Sequence, residues 1–339
     1  MHEARFWEKE GERIRCHLCP HNCSISPMRR GICGVRENRD GKLYSMNYGK
    51  VAAANFDPIE KKPLFHFYPG EDVFSIGSIG CNFRCRHCQN FNISQAQLGE
   101  LVLREMSPEA VSETALSAGS RGVAFTYNEP TIWHEFAYDA MKIAKEKGMF
   151  TVYVTNGFIQ EEPLRELSPF LDAMNIDVKG FTERFYDKVC KAPLEPVLRT
   201  VELAHRLGIH VELTYLIIPG ENDDRDEIRR FSEWVVSLDK RIPVHFSRFH
   251  PDYEMSDKPP TPIRTMEAAK DIGKEAGLQF IYLGNVMIPH GEDTVCPNCG
   301  TLLIERMGFS IGKMDARDGR CPVCGQDLYM VQRKSGTGT

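Results

Sequence analysis

Three thiols crowd into one short loop of this chain. The segment Gly77-Ser-Ile-Gly-Cys81-Asn-Phe-Arg-Cys85-Arg-His-Cys88-Gln-Asn90 sets them at the spacing Cys-x3-Cys-x2-Cys. Thiolates are soft ligands suited to iron–sulfur clusters and zinc. A [4Fe–4S] cluster normally takes four cysteines, so a three-cysteine loop leaves one iron open to a substrate or cofactor. Gly77 and Gly80 let the backbone fold closely around such a group. The competing reading is a zinc site that borrows a distant fourth ligand such as His87. Zinc usually takes paired cysteine knuckles, and this loop has no second pair.

Two further sets have four cysteines each. Cys296-Pro-Asn-Cys299-Gly and Cys321-Pro-Val-Cys324-Gly are two knuckles with 21 residues between them. That is one residue beyond the usual Cys-x2-Cys pair spacing, and it reads as a structural zinc ribbon, with rubredoxin-like iron as the alternative. Cys16-x2-Cys19-x3-Cys23-x9-Cys33 fits zinc or an auxiliary iron–sulfur cluster. The Cys33-Gly34 step repeats the knuckle pattern and tilts this set toward zinc. Cys190 stands outside every cluster and reads as a buried core residue; a hydrogen-donor role is the alternative.

These twelve cysteines sit in a chain of 339 residues with net charge −5. A chain this long buries a core without covalent staples. Its charged N-terminus has no signal-peptide pattern, and no apolar run is long enough to span a membrane. A reducing, cytoplasmic setting follows, in which clustered cysteines serve metals rather than disulfides. The acidic balance argues against a broad nucleic-acid-binding surface.

The elements that must position the thiols are legible from about Asp72 to Gly284. Short runs rich in Val, Ile, Phe and Tyr lie at Val73–Ile76, Val123–Tyr127, Thr151–Thr155, Met174–Val178, Ile209–Ile218, Val244–Phe249 and Phe280–Leu283. They read as buried parallel strands. Helices separate them: one capped by Ser107-Pro108, one opening at Pro130, one at Glu195-Pro196, and one carrying Ile228, Phe231, Trp234, Val235 and Leu238. This alternation predicts an α/β core, either a partial (βα)6 TIM-like barrel or a doubly wound sheet. In both, the working residues lie at the C-terminal ends of the strands. The expected organisation is a cysteine-rich N-terminal extension over 1–71, the core over 72–290, a zinc-ribbon-like segment over 291–333 and a disordered tail over 334–339.

A Cys-x3-Cys-x2-Cys loop after the first strand of a (βα)-repeat core resembles the radical S-adenosylmethionine (SAM) superfamily. The segment around Cys81–Asn90 is similar to activases of glycyl radical enzymes, of the pyruvate formate-lyase activating type. Cys16-His-Leu-Cys-Pro-His-Asn-Cys23, Gly31-Ile-Cys-Gly-Val-Arg36 and Asp57–Gly70 are similar to the AmmeMemoRadiSam-system enzymes, a resemblance that covers nearly the whole chain. It implies the partial barrel, a [4Fe–4S] cluster on Cys81, Cys85 and Cys88, and SAM chelated at the unique iron. One electron then splits SAM to a 5′-deoxyadenosyl radical that takes hydrogen from a substrate, with a protein partner as the candidate. It also implies a reductant such as flavodoxin or ferredoxin, and partners of Memo or AMMECR type.

The same resemblance turns strand-end residues into SAM candidates. Thr126, Asn128 and Glu129 stand where the family has a Gly-Gly-Glu-Pro-like segment, with Tyr127-Asn128 in place of the glycines. Asn156 follows the third strand. Asp177 and Lys179 end the fourth, where a plain salt bridge is the bland alternative. Arg248 and His250 end the sixth, and His87 stands where the family has a ring near adenine. Asn222 and Asp223 read as caps of the following helix. Outside the resemblance, the rival is a non-catalytic zinc-rich scaffold or nucleic-acid-binding module, with zinc in all three sets.

Overall fold

The apolar runs become strands close to where the sequence places them. In this computed structural model, β1 is Asp72–Gly77, β2 Gly122–Phe125, β3 Phe150–Thr155, β4 Ala173–Asp177, β5 His210–Ile217, β6 Val244–Arg248 and β7 Ile281–Gly284. Between and after them lie α1 (Pro108–Ser117), α2 (His134–Glu146), α3 (Glu161–Leu167), α4 (Glu195–Arg206), α5 (Arg225–Asp239) and α6 (Ile263–Ala276). The structure describes residues 1–333. The tail expected to be disordered, 334–339, lies outside the described residues.

The chain divides into two compact units. The first comprises Met1–Asp57, Asp72–Met174 and Asp187–His210; the second comprises Pro58–Glu71, Asn175–Tyr186 and the chain from Val211 onward. In the first unit β1, β2 and β3 form a parallel ladder, with Ala124 opposite Ser75 on one side and Val152 on the other. Every residue of β2 is buried, as a strand covered on both faces requires. In the second unit β5, β6 and β7 are parallel, with Val244 opposite Leu213 and Ile281. The fold is therefore α/β.

Helix ends follow their side chains. Ser107 accepts the Ala110 amide at 3.2 Å and Pro108 opens α1. Pro130 opens a 3-10 turn, and α2 begins only at His134. That helix buries Phe136, Ala137, Ala140, Met141 and Ala144, while Ile143 is only half-buried. Asp224 caps α5 by accepting the amides of Asp226 and Glu227. The N-terminal extension adds two small antiparallel sheets; a three-stranded sheet over Thr294–Met314 holds Cys296 and Cys299 between its first two strands, and Cys321 and Cys324 follow it in the chain. No helix among the described residues is long and apolar enough to cross a membrane.

Candidate active site and metal centres

The cysteine loop leaves the C-terminal end of β1 at Gly77. Two glycines are required there by space. A Cβ on Gly77 would lie 2.6 Å from the Thr126 carbonyl oxygen, and one on Gly80, at φ +87°, would lie 2.5 Å from the Cys33 carbonyl oxygen. Gly80→Ala is expected to cost at least about 1–2 kcal/mol from the left-handed backbone alone, plus the clash. Gly119, at φ +80° with open space around it, is the control. A melt in which Gly80→Ala is no less stable than Gly119→Ala would refute the close contact.

Cys81 and Cys85 are buried and Cys88 is half-buried. The Cys81 sulfur accepts the Phe83 amide at 3.3 Å and lies 3.9 Å from Asn156 Nδ2. Cys88 Sγ is 3.2 Å from Ser94 Oγ. The loop's outer turn is pinned by the Arg84 and Arg86 amides, which donate to the carbonyls of Cys190 and Val189 at 3.1 and 3.0 Å. Cys190 thus helps hold the loop through its backbone, while its side chain is buried.

Strand-end residues converge on this loop within the first unit. Asn128 accepts the Ser78 amide at 3.2 Å and donates to the Gly80 carbonyl at 2.8 Å. Asn156 donates to Asn82 Oδ1 at 2.8 Å and accepts the Phe158 amide at 2.9 Å. Thr126 is buried beside Gly77, and His87 is buried within the loop. Tyr127 takes φ +72°, a conformation that favours glycine, at the position where the related segment has one. Its hydroxyl donates to Asp57 at 2.7 Å and accepts from Asn55 at 3.0 Å.

Glu129 is completely buried. Its carboxylate accepts the Thr131 amide at 2.9 Å, the Thr155 hydroxyl at 2.7 Å and the Asn156 amide at 2.8 Å. Burial pushes its carboxyl above the ordinary range, against the pull of these donors. The side chain binds the end of β2 to the end of β3 and so fixes Asn156. Burial, with Glu129 as the next cause, also pushes the Cys81 thiol well up. A bound metal reverses that preference by deprotonating its thiol ligands.

Asp177, Lys179, Arg248 and His250 belong to the second unit. Lys179 Nζ lies 2.8 Å from Asp177 Oδ2. Arg248 Nε donates to the Thr261 carbonyl at 2.7 Å, and His250 Nε2 lies 3.3 Å from the Asn285 carbonyl. Asn222 and Asp223, read as caps of α5, do other work. Asn222 is buried and donates to the carbonyls of Lys179 and Leu216, while Asp223 accepts the Gly220 amide. The cap is Asp224, because the loop turns one residue later.

The C-terminal knuckles close into a single centre. All four sulfurs of Cys296, Cys299, Cys321 and Cys324 lie within 4.8 Å of one another. Cys296 to Cys324 is 3.5 Å and Cys299 to Cys321 is 3.7 Å. Four thiolates at about 2.3 Å around one tetrahedral ion stand roughly 3.8 Å apart. Hydrogen bonds from the Thr301 and Asn298 side chains push the Cys299 and Cys324 thiols down, which favours thiolate.

Sequence reasoning missed two contributors. Asn82 is buried, accepts from Asn156 and donates to the Phe158 carbonyl at 3.0 Å. Arg84 donates to the Cys81 carbonyl at 2.7 Å and to the Ile32 carbonyl at 2.5 Å. Their signal was present: both are polar residues inside a loop that has to bury its sulfurs.

Three thiols at a strand's C-terminal end, backed by amides and asparagines, define an α/β protein built to hold a metal cluster. The profile of the radical SAM superfamily matches residues 75–232. An uncharacterized protein of Methanocaldococcus jannaschii is 51% identical over 335 residues, covering 98% of this chain and 100% of its own. Pyruvate formate-lyase 1-activating enzyme of Escherichia coli K12 is 23% identical over 218 residues, covering 60% of this chain and 89% of its own. The crystal structure of Streptococcus suis SuiB bound to S-adenosylmethionine matches with a TM-score of 0.51 at 11% identity, over 64% of this chain and 51% of that one, a likeness of fold. The chain belongs to the radical SAM superfamily and is a radical SAM enzyme, and the superfamily implies a [4Fe–4S] cluster and SAM.

Proposed function

We propose that this enzyme abstracts a hydrogen atom from a protein partner, as a relative of glycyl-radical activases. The observation that supports the chemistry is the open donor set: three thiols from one loop, with the Phe83 amide and Asn156 turned to Cys81. These residues fit a cluster held by Cys81, Cys85 and Cys88. When bound, that group would supply the electron that splits SAM into methionine and a 5′-deoxyadenosyl radical. The chain's own part is to bury the sulfurs, set the loop against Asn128 and Asn156, and keep water out. His87, Thr126, Asn128, Glu129 and Asn156 are our proposed SAM-side residues in the first unit, with Glu129 acting as the brace of Asn156. For Asp177, Lys179, Arg248 and His250, a contact to SAM is a proposal that rests on the resemblance.

On this reading the core over 72–290 is a partial (βα)6 barrel, and 291–333 is a structural zinc ribbon. A flavodoxin or ferredoxin supplies the electron. Memo-type or AMMECR-type proteins are the proposed partners, from the resemblance of Cys16–Cys23, Gly31–Arg36 and Asp57–Gly70. The reading is tested by anaerobic reconstitution followed by turnover with SAM, dithionite and partner proteins labelled with deuterium. Deuterium in 5′-deoxyadenosine identifies the donor; 5′-deoxyadenosine without label from any protein would sink the protein-substrate reading. For the ribbon, Cys321→Ser is expected to reduce zinc from about one ion per chain to near zero, while the iron content stays unchanged in the same metal analysis.

A further inference from the structure

The four N-terminal cysteines are arranged unlike the C-terminal four. Cys16, Cys19, Cys23 and Cys33 line one enclosed pocket together with Leu18, Ile25 and Ile132. Yet among the described residues only the C-terminal set gathers three or more ligand atoms within 4.8 Å. The N-terminal sulfurs face a common space without closing to the spacing of the C-terminal set, whereas thiolates on one tetrahedral ion lie roughly 3.8 Å from each other. Cys81, Cys85 and Cys88 likewise do not gather within 4.8 Å of one another. A cluster has that need, because each thiolate binds a different iron.

The pocket's lining supplies a second observation. Arg36 is 1% exposed and forms part of the wall. Its terminal nitrogens are taken by Glu135 and the Arg5 carbonyl. Its Nε–H is buried with no hydrogen-bond partner. A buried donor without an acceptor is costly, and an anionic sulfur cluster offers the acceptor. Backbone amides already point at the thiols: His21 at Cys19, Ile32 at Cys23, and Val35 and Arg36 at Cys33. Hydrogen bonds to sulfur are one of the means by which proteins tune iron–sulfur potentials.

We propose that Cys16, Cys19, Cys23 and Cys33 hold a second iron–sulfur cluster, closed by four thiolates and packed against the loop of the catalytic one. The contact between the two loops is direct. The Cys33 carbonyl abuts Gly80, Arg84 donates to the Ile32 carbonyl, and His21 Nε2 lies 2.7 Å from the Asn82 carbonyl. With every ligand position filled by protein, the group has no iron open to a substrate, and its chemistry is one-electron transfer. It would accept an electron from a ferredoxin- or flavodoxin-class donor and pass it on, returning to its oxidised state. Zinc at this set, expected from Cys33-Gly34, is the less favoured occupant because these sulfurs are not gathered as the C-terminal four are.

The identity of the neighbouring group rests on the catalytic reading, so the test separates the two. Full-length protein is reconstituted anaerobically with ferrous iron and sulfide, and iron, sulfide and zinc are counted. In the variant Cys81→Ala/Cys85→Ala/Cys88→Ala, about two or four iron atoms per chain should remain, with matching sulfide. Cys19→Ala/Cys33→Ala should lose that same number. Zinc at both four-cysteine sets and no iron in the first variant would overturn the proposal and leave the catalytic reading intact. Iron lost only from the second variant would support the proposal and overturn the catalytic reading. Should a variant fail to fold, wild-type protein decides. Iron in excess of one four-iron cluster, with reduced-state EPR signals broadened by two neighbouring spins, supports the proposal. Four iron atoms with a single unbroadened signal overturn it.

Discussion

Replacing Cys81, Cys85 and Cys88 together by alanine should abolish 5′-deoxyadenosine formation, down to the level without enzyme. The sulfurs come from one loop that leaves the end of β1. Loss of all three removes every protein ligand of the proposed catalytic cluster, so the expected effect is total rather than graded. The fold should survive, because the loop is held by its backbone and by Asn128, Asn156 and Arg84. Circular dichroism, and the zinc proposed at the four C-terminal cysteines, should therefore match the parent. Residual SAM cleavage in a well-folded triple variant would overturn the assignment. A graded companion is Asn156→Ala, which removes a side chain that lies 3.9 Å from the Cys81 sulfur while Glu129 keeps the strand ends together. It should lower the rate without lowering iron content.

The second large effect concerns stability. Arg36 and Glu135 form an ion pair at 2.9 Å, with side chains only 2% and 1% exposed. Glu135 also accepts the Arg5 amide at 2.7 Å. Removing one partner of a buried pair leaves an uncompensated charge and costs about 3–5 kcal/mol. For a unit of this size that corresponds to a fall of roughly 6–20 °C in Tm. Glu135→Ala should show it in a thermal melt. The double variant Arg36→Met/Glu135→Leu should recover much of the loss, since apolar replacements of such pairs are often neutral. A Glu135→Ala melt within a degree or two of the parent would show that the pair carries no weight.

The pH dependence of that pair has a definite sign. Burial alone would push the Glu135 carboxyl up; the Arg36 charge, with His134 and the Arg5 amide, outweighs it and holds the group below its ordinary 4.5. The folded carboxyl thus titrates lower than the unfolded one. Its contribution is complete at neutral pH and is lost as the pH falls below 4.5 toward the folded value. The parent should lose Tm in that window more steeply than the Arg36→Met/Glu135→Leu variant.

Parts of this molecule are legible in its sequence for physical reasons, and parts are not. The core strands were readable because strands buried on both faces run as unbroken Val, Ile and Phe. Helix α1 announces itself through Ser107, a side chain that accepts a first-turn amide; α5 is legible from its apolar positions, while its cap, Asp224, lies one residue beyond the pair read as caps. Helix α6 gives no such signal: its cap position is Pro262, with no side-chain bond and no acid in the first turn. The strands of the extension run only two to four residues before Ala53, too short for an alternating pattern to register. The cysteine loop was legible from spacing alone. Its supports were not, because Asn156 and Arg36 find partners 74 and 99 residues away. The single-ion geometry of the C-terminal knuckles fits their spacing, whereas the spread of the N-terminal set could be seen only in three dimensions.

The wall shared by Cys33 and Gly80 also bears on how the protein is born. The N-terminal thiols leave the ribosome first, but Ile132 and Glu135, which close their pocket and neutralise Arg36, follow about a hundred residues later. At about 5–20 residues per second that is a delay of roughly 5–20 s. During it, four thiols and an unpaired arginine stand in the open, and the loop of Cys81, Cys85 and Cys88 emerges into the same interval. On the proposal of a second cluster, loading of the extension waits for the segment around Ile132 and Glu135 rather than for the four thiols alone, and the two cysteine loops mature as one event rather than in chain order.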